Sequence, residues 1–412
     1  MSLFQITLSV FCKRVLKLFG PRLALAFSVV LPLHCMAGTP PLALEPLARA
    51  DAAMQRFIDQ SQMPGGVLWI EQGTASHHKA FGVQVAGGTD PVSEDTMFDV
   101  ASLTKPVITA TLVMLLRQQG RLDVEAPVSR YLPDCANVAH VTLRQLLTHS
   151  SGLTSEMPAS DPFKQGPEPA STAMPQGERQ TRIDRAIERI CAQKLDAEPG
   201  RQFHYSGMNF VLLGEIVSRV SGRPLQDLAR TEILEPLSMS HSGFLPPEGS
   251  SRIAPTNKPG EPWVRGAVQD SMSRRMGGVS GQGGLFSTTA DLARFARMLL
   301  NDGVGDSGRR LLTHESVLLL TTPQAPTNVS ELRSMGWDIA TGYSSPRGKV
   351  YPAGRSFGHS GYTGCAMWID PGSRSFYILL SNRVSIPGSN ILELYRELGT
   401  RAAEAAGLEE QP

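Results

Sequence analysis

The chain has 412 residues, a formal net charge of +1 at pH 7 and 41% hydrophobic residues, fifteen of them phenylalanine. This composition predicts a folded protein with a sizeable core and excludes a disordered chain. The near-neutral charge gives no reason to expect binding to nucleic acid or to an anionic membrane surface. The length exceeds the roughly 250 to 300 residues at which a single core stops growing, so we expect two lobes.

The first residues follow the three-part layout of a secretory signal peptide. The basic residues Lys13, Arg14, Lys17 and Arg22 come first, then the largely apolar run Leu23 to Leu33, then Cys35-Met-Ala37-Gly. The run is shorter than the roughly 20 residues that a membrane span needs. We expect a signal peptide over residues 1–37, cleaved after Ala37, and a periplasmic mature protein over residues 38–412. A retained interfacial anchor stays an alternative, whereas a lipid-modified Cys35 is disfavoured because the bulky His34 precedes it.

The five cysteines and nine histidines show no metal-binding spacing. Cys12 and Cys35 lie in the predicted signal peptide. Cys135, Cys191 and Cys365 allow at most one disulfide, and the sequence leaves open whether it forms. Neither H-E-x-x-H nor C-x-x-C occurs, so we predict no structural zinc site and no cofactor.

After the signal, Pro46 to Gln62 carries apolar residues at helical spacing and predicts a helix. The two strands of a hairpin follow, Gly66 to Gln72 and Thr74 to Val85. The second strand contains one S-x-x-K pattern, Ser76-His-His-Lys79. Positions i and i+3 of a strand point to opposite faces, so this serine and this lysine cannot meet.

Another S-x-x-K, Ser102-Leu-Thr-Lys105, opens a segment that reads as an apolar helix as far as Arg117. Pro106 favours a helix start, because proline is tolerated in a first turn. Three residues are nearly one helical turn, so Ser102 and Lys105 share a face within contact distance. An amine kept neutral by its surroundings can take the proton of a serine hydroxyl, so the pair is a candidate nucleophile and base. By itself, the spacing fits an ordinary N-cap serine and a solvated lysine equally well.

Two segments of the middle region lack a regular hydrophobic period. Asp161 to Gly177 is rich in Pro, Gly, Ser and Gln and predicts a surface loop. A plain insertion is favoured, and an active-site lid stays the alternative. Gly277 to Gly284 holds five glycines without the pattern G-x-x-x-x-G-K-S, so nucleotide binding is not predicted. Thr288-x-x-Asp291 then predicts a capped helix through Leu300.

Near the end of the chain, Thr363 to Asp370 and Ser375 to Asn382 are β-rich runs separated by Pro371-Gly-Ser. This pattern predicts a second hairpin. Ser389 to Ala406 predicts the last helix. Strands therefore stand at both ends of the chain and enclose a mainly helical middle.

Four motifs in order along the chain carry a resemblance to a known family. They are Phe98-Asp-Val-Ala-Ser102-Leu-Thr-Lys105, Leu146-Leu-Thr-His-Ser-Ser-Gly152-Leu, Pro199-Gly-Arg-Gln-Phe-His-Tyr205-Ser-Gly and Phe357-Gly-His359-Ser-Gly361. With them the chain resembles the serine β-lactamase-like superfamily, of the type of class C β-lactamases, D-alanyl-D-alanine carboxypeptidases and family VIII esterases. The glycine-rich segment resembles that of penicillin-binding-protein-like periplasmic esterases. The resemblance implies an α+β fold, an antiparallel sheet flanked by helices plus a mainly helical lobe, with the active site between them.

The resemblance also implies roles for particular residues. Ser102 would be the nucleophile and Lys105 the base, and the hydroxyl of Tyr205 would shuttle the proton between Ser102 and the leaving group. The backbone N–H groups of Ser102 and Tyr362 would form the oxyanion hole. His149 in the second motif would fix the wall of the cleft by hydrogen bonding rather than take part in the chemistry.

The triplet His359-Ser360-Gly361 takes the place of the family's K-T-G, and with Gly207 it makes up the predicted substrate-binding set. His359 would donate to a substrate carboxylate or to Tyr205, without a permanent charge at neutral pH. Gly361 would let the substrate backbone approach the strand.

Gly207 stands where the family usually places asparagine, two residues after the tyrosine. That asparagine amide contacts the amide carbonyl of peptide-like substrates in the family, so we expect glycine to leave this carbonyl without a donor and to weaken β-lactam and peptide binding. Asn209 is not expected to substitute for the missing amide, and the role of Gln282 stays open.

These observations predict a periplasmic serine hydrolase that acts by acyl transfer through a covalent acyl-serine. A carboxylic ester and a D-alanyl-D-alanine type peptide of peptidoglycan are both compatible substrates. The alternatives are a penicillin-binding or peptidoglycan-sensing module that acylates with little turnover, and a weak class C β-lactamase. The expected partner is a small-molecule or peptidoglycan-peptide substrate and no nucleic acid, with peripheral association to the cell envelope left open.

Overall fold

The computed structural model describes residues 41–169, 173–256 and 263–410. The predicted signal peptide lies outside these residues, so its cleavage stays a prediction. Within them, no helix is long and apolar enough to cross a membrane.

The helices differ widely in length, and the longest stand near the two ends and in the middle of the described chain. The α-helices are α1 Leu44–Asp59, α2 Thr111–Gln118, α3 Leu143–Leu147, α4 Pro162–Gln165, α5 Gln176–Cys191, α6 Gly207–Ser221, α7 Leu225–Ala229, α8 Ser271–Arg275, α9 Thr289–Leu300, α10 His314–Thr321 and α11 Leu392–Ala405. The strands are β1 Gly65–Gln72, β2 Ala75–Gly82, β3 Phe98–Asp99, β4 Phe286–Ser287, β5 Leu332–Arg333, β6 Asp338–Ala340, β7 Phe357–Gly361, β8 Cys365–Asp370 and β9 Ser375–Ser381.

Seven of these strands form one antiparallel sheet in the order β2-β1-β9-β8-β7-β6-β5, and β3 pairs with β4 separately. The first and last hairpins meet because β1 pairs with β9, from Gly66 opposite Ser381 to Gln72 opposite Ser375. Residues far apart in the chain thus form one sheet, as the strand-rich ends predict.

The sheet is buried on both faces. In β8 and β9 the side chains alternate between two hydrophobic clusters, as the period of two in a strand requires. One cluster contains Met367 and Ile378, and the other contains Trp368 and Tyr377. Apolar residues of α1 and α11 belong to the second cluster, and those of α2, α6 and α9 belong to the first. Helices therefore cover the sheet on both sides, which is the predicted α+β arrangement.

Most predicted elements are confirmed, with bounds shifted by a few residues. The two hairpins, the first and last helices and the Thr288-capped helix are all present, and the Thr288 hydroxyl accepts from the Asp291 N–H at 3.3 Å. Ser76 and Lys79 lie on the exposed strand β2, where Lys79 pairs with Asp51 at 3.0 Å. This S-x-x-K is therefore not a catalytic pair.

Two predictions need correction or completion. The segment predicted as a loop from Asp161 contains the short helix α4, because the Asp161 carboxylate caps it by accepting from the Phe163 N–H at 2.9 Å. Of the three cysteines outside the signal, Cys135 and Cys191 form a disulfide with Cα atoms 4.5 Å apart, and Cys365 is free and buried.

Candidate active site

The segment that presents Ser102 is not the single α-helix predicted up to Arg117. It consists of a 3₁₀ turn Ala101–Leu103, a π-helical stretch Lys105–Ala110 and then α2. Pro106 lacks the N–H that an α-helical ladder needs, which favours a local change of helix type. The predicted contact forms nevertheless, because Lys105 Nζ donates to Ser102 Oγ at 3.0 Å.

A strained turn leads into Ser102. Ala101 has a φ of +48°, in the left-handed region that alanine rarely adopts. The buried carboxylate of Asp99 holds this turn by accepting from the Ala101 N–H at 2.8 Å and from the Gln269 N–H at 2.7 Å. Burial raises the pKa of Asp99 to about 6, against the lowering effect of the two N–H donors. The position of Ser102 therefore depends on a residue that the sequence analysis did not select.

Lys105 is 2% exposed and has two hydrogen-bond acceptors. Its Nζ donates to Ser102 Oγ and to the backbone carbonyl of Gln282, both at 3.0 Å. The same atom lies 5.4 Å from the centre of the Tyr205 ring. The structure thus brings together the three residues predicted to be catalytic, and their roles in the reaction stay predictions.

The imidazole ring of His149 packs against the ring of Tyr205. The two rings stack with their centres 4.4 Å apart. His149 Nδ1 accepts from the Ser206 N–H at 3.1 Å and faces Asn209 Nδ2, also at 3.1 Å, so we assign the ring proton to Nε2. Burial and nearby positive charges hold the pKa of His149 well below its ordinary value. The neutral His149 builds the cleft wall as predicted, and Asn209 is engaged in this wall rather than available to a substrate.

His359 differs from its predicted role. Its Nδ1 lies 2.8 Å from the carbonyl oxygen of Ser360, which can only accept, so Nδ1 carries the proton. Burial, together with the charges of Arg333 and Lys105, holds the pKa of His359 well below its ordinary value. The neutral ring therefore presents Nε2 as an acceptor, and we correct the prediction that His359 donates to a substrate carboxylate.

Arg333 is a buried cation on this side of the site, and the sequence analysis missed it. It is 1% exposed, and its guanidinium carbon lies 5.6 Å from the Phe203 ring centre and 5.8 Å from that of Tyr205. Burial lowers its pKa, yet a guanidinium stays protonated in proteins. Nη2 donates to the Gly336 carbonyl at 3.2 Å, while Nε and Nη1 have no hydrogen-bond partner within the described residues.

Asp338 faces Arg333 without closing a hydrogen bond. Its Oδ1 lies 3.9 Å from Nη1 of Arg333, and this Oδ1 also has no partner in the part of the chain that the structure describes. Nothing in the local sequence Leu332-Arg-Ser-Met-Gly-Trp337 distinguishes Arg333 from an exposed surface arginine. Only its burial beside Tyr205 reveals it.

Ser102, Tyr205 and Arg333 open into one cavity of about 470 Å³. The other lining residues come from β6 and the loop after it, from β7 and the residue that follows it, and from the segment before and within α11: Asp338, Tyr343, His359, Ser360, Gly361, Tyr362, Arg383, Ser389, Asn390, Ile391, Leu392 and Tyr395. Tyr362 directly follows β7, and the residue is 62% exposed. The predicted contribution of the Ser102 and Tyr362 N–H groups to an oxyanion hole stays a prediction.

At both glycines of the predicted substrate-binding set, a neighbouring group lies where a side chain would extend. A Cβ at Gly361 would lie 2.5 Å from the Val100 carbonyl oxygen, so this glycine lets β7 approach the segment that carries Ser102. A Cβ at Gly207 would overlap Oε1 of Gln282, with Cδ of Gln282 3.0 Å away. The carboxamide of Gln282 therefore occupies the place of the missing asparagine side chain. That Gly207 leaves the substrate amide carbonyl without a donor from position 207 stays a prediction.

Within the described ranges, no group of three or more His, Cys, Asp or Glu side chains is arranged to hold a metal ion. The chemistry that the site offers is that of a serine hydroxyl, a buried amine, a phenol and a neutral imidazole beside an arginine.

Comparison with known proteins agrees with this geometry. The family model Beta-lactamase matches residues 50–400. A protein of Salmonella agona named "Putative D-alanyl-D-alanine carboxypeptidase" is 28% identical over 402 residues, which cover 89% of each chain. The solved structure of EstCE1, described as a hydrolase with promiscuous acyltransferase activity, has a TM-score of 0.67 at 20% identity and covers 86% of this chain and 99% of its own. A class C β-lactamase has a TM-score of 0.65 at 16% identity, with 86% and 96% covered.

The two structural similarities concern the fold, and the family match spans most of the chain, including the Ser102-Lys105 pair, Tyr205 and the strand of His359. Together with the geometry of these residues, the comparisons show that this chain belongs to the Beta-lactamase family and is a serine hydrolase.

Proposed function

We propose that this serine hydrolase cleaves D-alanyl-D-alanine type peptides, whose leaving group carries a free carboxylate. The observation that supports the proposal is Arg333, a buried cation on the cavity wall with two nitrogens that lack a partner within the described residues. Asp338 offsets this charge from 3.9 Å without a hydrogen bond, so the buried guanidinium keeps unused donors that a substrate carboxylate would satisfy. A substrate carboxylate beside Arg333 would therefore be matched in charge and would accept from Nε or from Nη1.

The remaining groups are arranged for acyl transfer. The Ser102 oxygen would attack the scissile carbonyl while Lys105, 3.0 Å away and acting as a neutral amine, accepts the hydroxyl proton. The C–N bond then breaks, and the proton passes to the leaving amine through Tyr205 beside Lys105. Water would release the acyl group from Ser102 by the reverse proton path. His359 Nε2, as an acceptor, would receive a hydrogen bond from Tyr205 or from the substrate.

The names of similar proteins support the substrate class without deciding it. The similarity to a protein named as a carboxypeptidase favours a peptide, and that to EstCE1 keeps a carboxylic ester as an alternative. A module that acylates with little turnover, or a weak class C β-lactamase, is a further alternative. Incubation with a fluorescent penicillin and with p-nitrophenyl esters separates them, because stable label without ester turnover favours the binding module.

The test of the substrate proposal replaces the cation. Arg333→Gln should lower kcat/KM for an N-acyl-D-alanyl-D-alanine by about 10- to 150-fold. A hydrogen bond to a charged group contributes roughly 1.5 to 3 kcal/mol, and about 1.4 kcal/mol corresponds to a factor of ten in rate. Turnover of the same peptide with a C-terminal amide, and of p-nitrophenyl acetate, should change little because neither carries the carboxylate.

Two further variants make this test decisive. Arg333→Gln alone leaves the buried Asp338 without its positive partner and can destabilise the fold. The double variant Arg333→Gln/Asp338→Asn removes both charges and therefore provides a folded protein for the same measurement. Arg383→Gln changes a half-buried arginine that lines the same cavity, and it serves as the matched control. Equal losses on the acid and the amide peptide, in proteins that melt normally, would show that Arg333 does not read a carboxylate.

A further inference from the structure

The glycine at position 207 and the glutamine at position 282 form a complementary pair. The carboxamide of Gln282 occupies the volume into which any side chain at 207 would extend. Gly207 is the first residue of α6, two residues after Tyr205, and no positive φ requires glycine there. Its lack of a side chain therefore leaves this volume to Gln282.

The glycine-rich segment lets Gln282 reach this place. A Cβ at Gly281 would overlap the Phe210 carbonyl oxygen and would lie 3.0 Å from Gly214 Cα, so the backbone at 281 lies directly against α6. Thr109 Oγ1 fixes it from the other side by donating to the Gly281 carbonyl at 2.7 Å. The segment is thus held between α6 and the helical segment that follows Ser102.

Gln282 is also linked to the reacting groups. Its backbone carbonyl accepts from Lys105 Nζ at 3.0 Å, and its Nε2 donates to Asp270 Oδ1 at 2.9 Å. Only a donor can face that carboxylate, so the amide orientation is assigned. The second Nε2 hydrogen has no acceptor within the described residues, and the side chain is largely buried.

We propose that Gln282 supplies the side-chain amide of this active site in place of residue 207, and that its free Nε2–H donates to the amide carbonyl on the acyl side of the substrate. The contacts of Gln282 are with Lys105, Asp270 and position 207, not with the Arg333 side where the leaving group would bind. This inference rests on the proposed function, because a peptide-like acyl group carries such a carbonyl and a simple ester does not.

The test uses two esters without a leaving-group carboxylate, so that its outcome is independent of the Arg333 proposal. The p-nitrophenyl ester of N-acetyl-D-alanine carries the acyl-side amide, and p-nitrophenyl butyrate does not. Gln282→Ala should lower kcat/KM for the first about 5- to 100-fold, the range for one unmatched buried polar group. It should leave the second within about 3-fold, because the Lys105 contact is made by the backbone carbonyl.

A swap of the two side chains provides the control for folding. Gly207→Asn alone should lower the melting temperature and the turnover of both esters, because asparagine would collide with Gln282. Gly207→Asn/Gln282→Gly moves the amide onto α6 and should restore turnover of the N-acetyl-D-alanine ester to within about 5-fold of wild type. The proposal is overturned if Gln282→Ala affects both esters equally, or if the double variant melts normally without regaining the amide preference.

Discussion

The hydrogen bond from Lys105 to Ser102 joins the two residues on which the proposed chemistry depends. Lys105 is almost fully buried and lies between the serine oxygen and the Gln282 carbonyl, so it has little freedom to leave this position. Ser76 and Lys79 repeat the same spacing on an exposed strand, where the lysine pairs with Asp51 instead. The S-x-x-K spacing therefore brings serine and lysine together on the helical segment at Ser102 and not on the strand at Ser76.

Ser102→Ala should abolish covalent labelling by a serine-directed phosphonate and lower turnover by at least about 10³-fold, the scale on which removal of a nucleophile acts. Ser76→Ala should leave both nearly unchanged, because Ser76 is exposed on the edge strand β2 and has no contact with Lys105 among the hydrogen bonds of the described residues. Mass spectrometry of the labelled protein measures the first effect and ester hydrolysis the second. A labelled Ser102→Ala protein, or an inactive Ser76→Ala protein, would contradict the assignment.

At the scale of elements, the turn between β3 and the helical segment determines where Ser102 lies. The Asp99 carboxylate holds the left-handed Ala101 and also ties this turn to Gln269, next to the residue that caps α8. Burial raises the pKa of Asp99 to about 6 from the ordinary 3.8. The folded state therefore binds this proton more tightly than the unfolded chain does.

This difference gives a prediction for stability against pH. A group with a raised folded pKa contributes stability below its unfolded pKa and loses that contribution as pH rises through the folded value. Relative to Asp99→Asn, the wild type should lose up to about 3 kcal/mol of unfolding free energy between pH 4 and 6. Urea unfolding of both proteins at several pH values measures this difference.

The control for this prediction is the exposed Asp95. Asp95→Asn should give a difference from wild type that changes little over the same pH range, because both forms of an exposed carboxyl are solvated in either state. A flat difference for Asp99→Asn as well would show that Asp99 is not a tightly buried acid.

At the scale of the whole molecule, export from the cytoplasm is a proposal that two separate observations support. The first residues have the layout of a signal peptide, and Cys135 and Cys191 pair across 56 residues of sequence. Disulfides persist in oxidising compartments and are rare in the bacterial cytoplasm. Protein from a native-like bacterial host should begin at or near Gly38, be recovered from the periplasm and contain one free thiol after denaturation.

Edman sequencing and thiol titration check these outcomes. A soluble cytoplasmic protein that retains Met1 would contradict the export proposal. Serine at both Cys135 and Cys191 provides the control for the thiol count, since it should leave the single buried Cys365 as the free thiol.

The amino-acid sequence by itself determined the elements with strong local signals. The hairpins follow from alternating apolar residues and turn residues, and the capped helix after Thr288 follows from local hydrogen bonding. The Ser102-Lys105 contact was also predictable, because residues three apart meet on several kinds of helix. The family motifs extended this prediction to Tyr205 and to the strand of His359.

Only the tertiary structure decided which charged groups lie in the active site, where their protons are and which side chains occupy its volume. Arg333 and Asp99 carry no local signal, because whether a charged side chain is buried depends on elements distant in the sequence. The proton position on His359 depends on the Ser360 carbonyl beside it and on the cations around it. The side chain missing at Gly207 is replaced from position 282, which only the packing of the glycine-rich segment against α6 brings near. Long-range packing, rather than local pattern, therefore decides which groups a substrate meets.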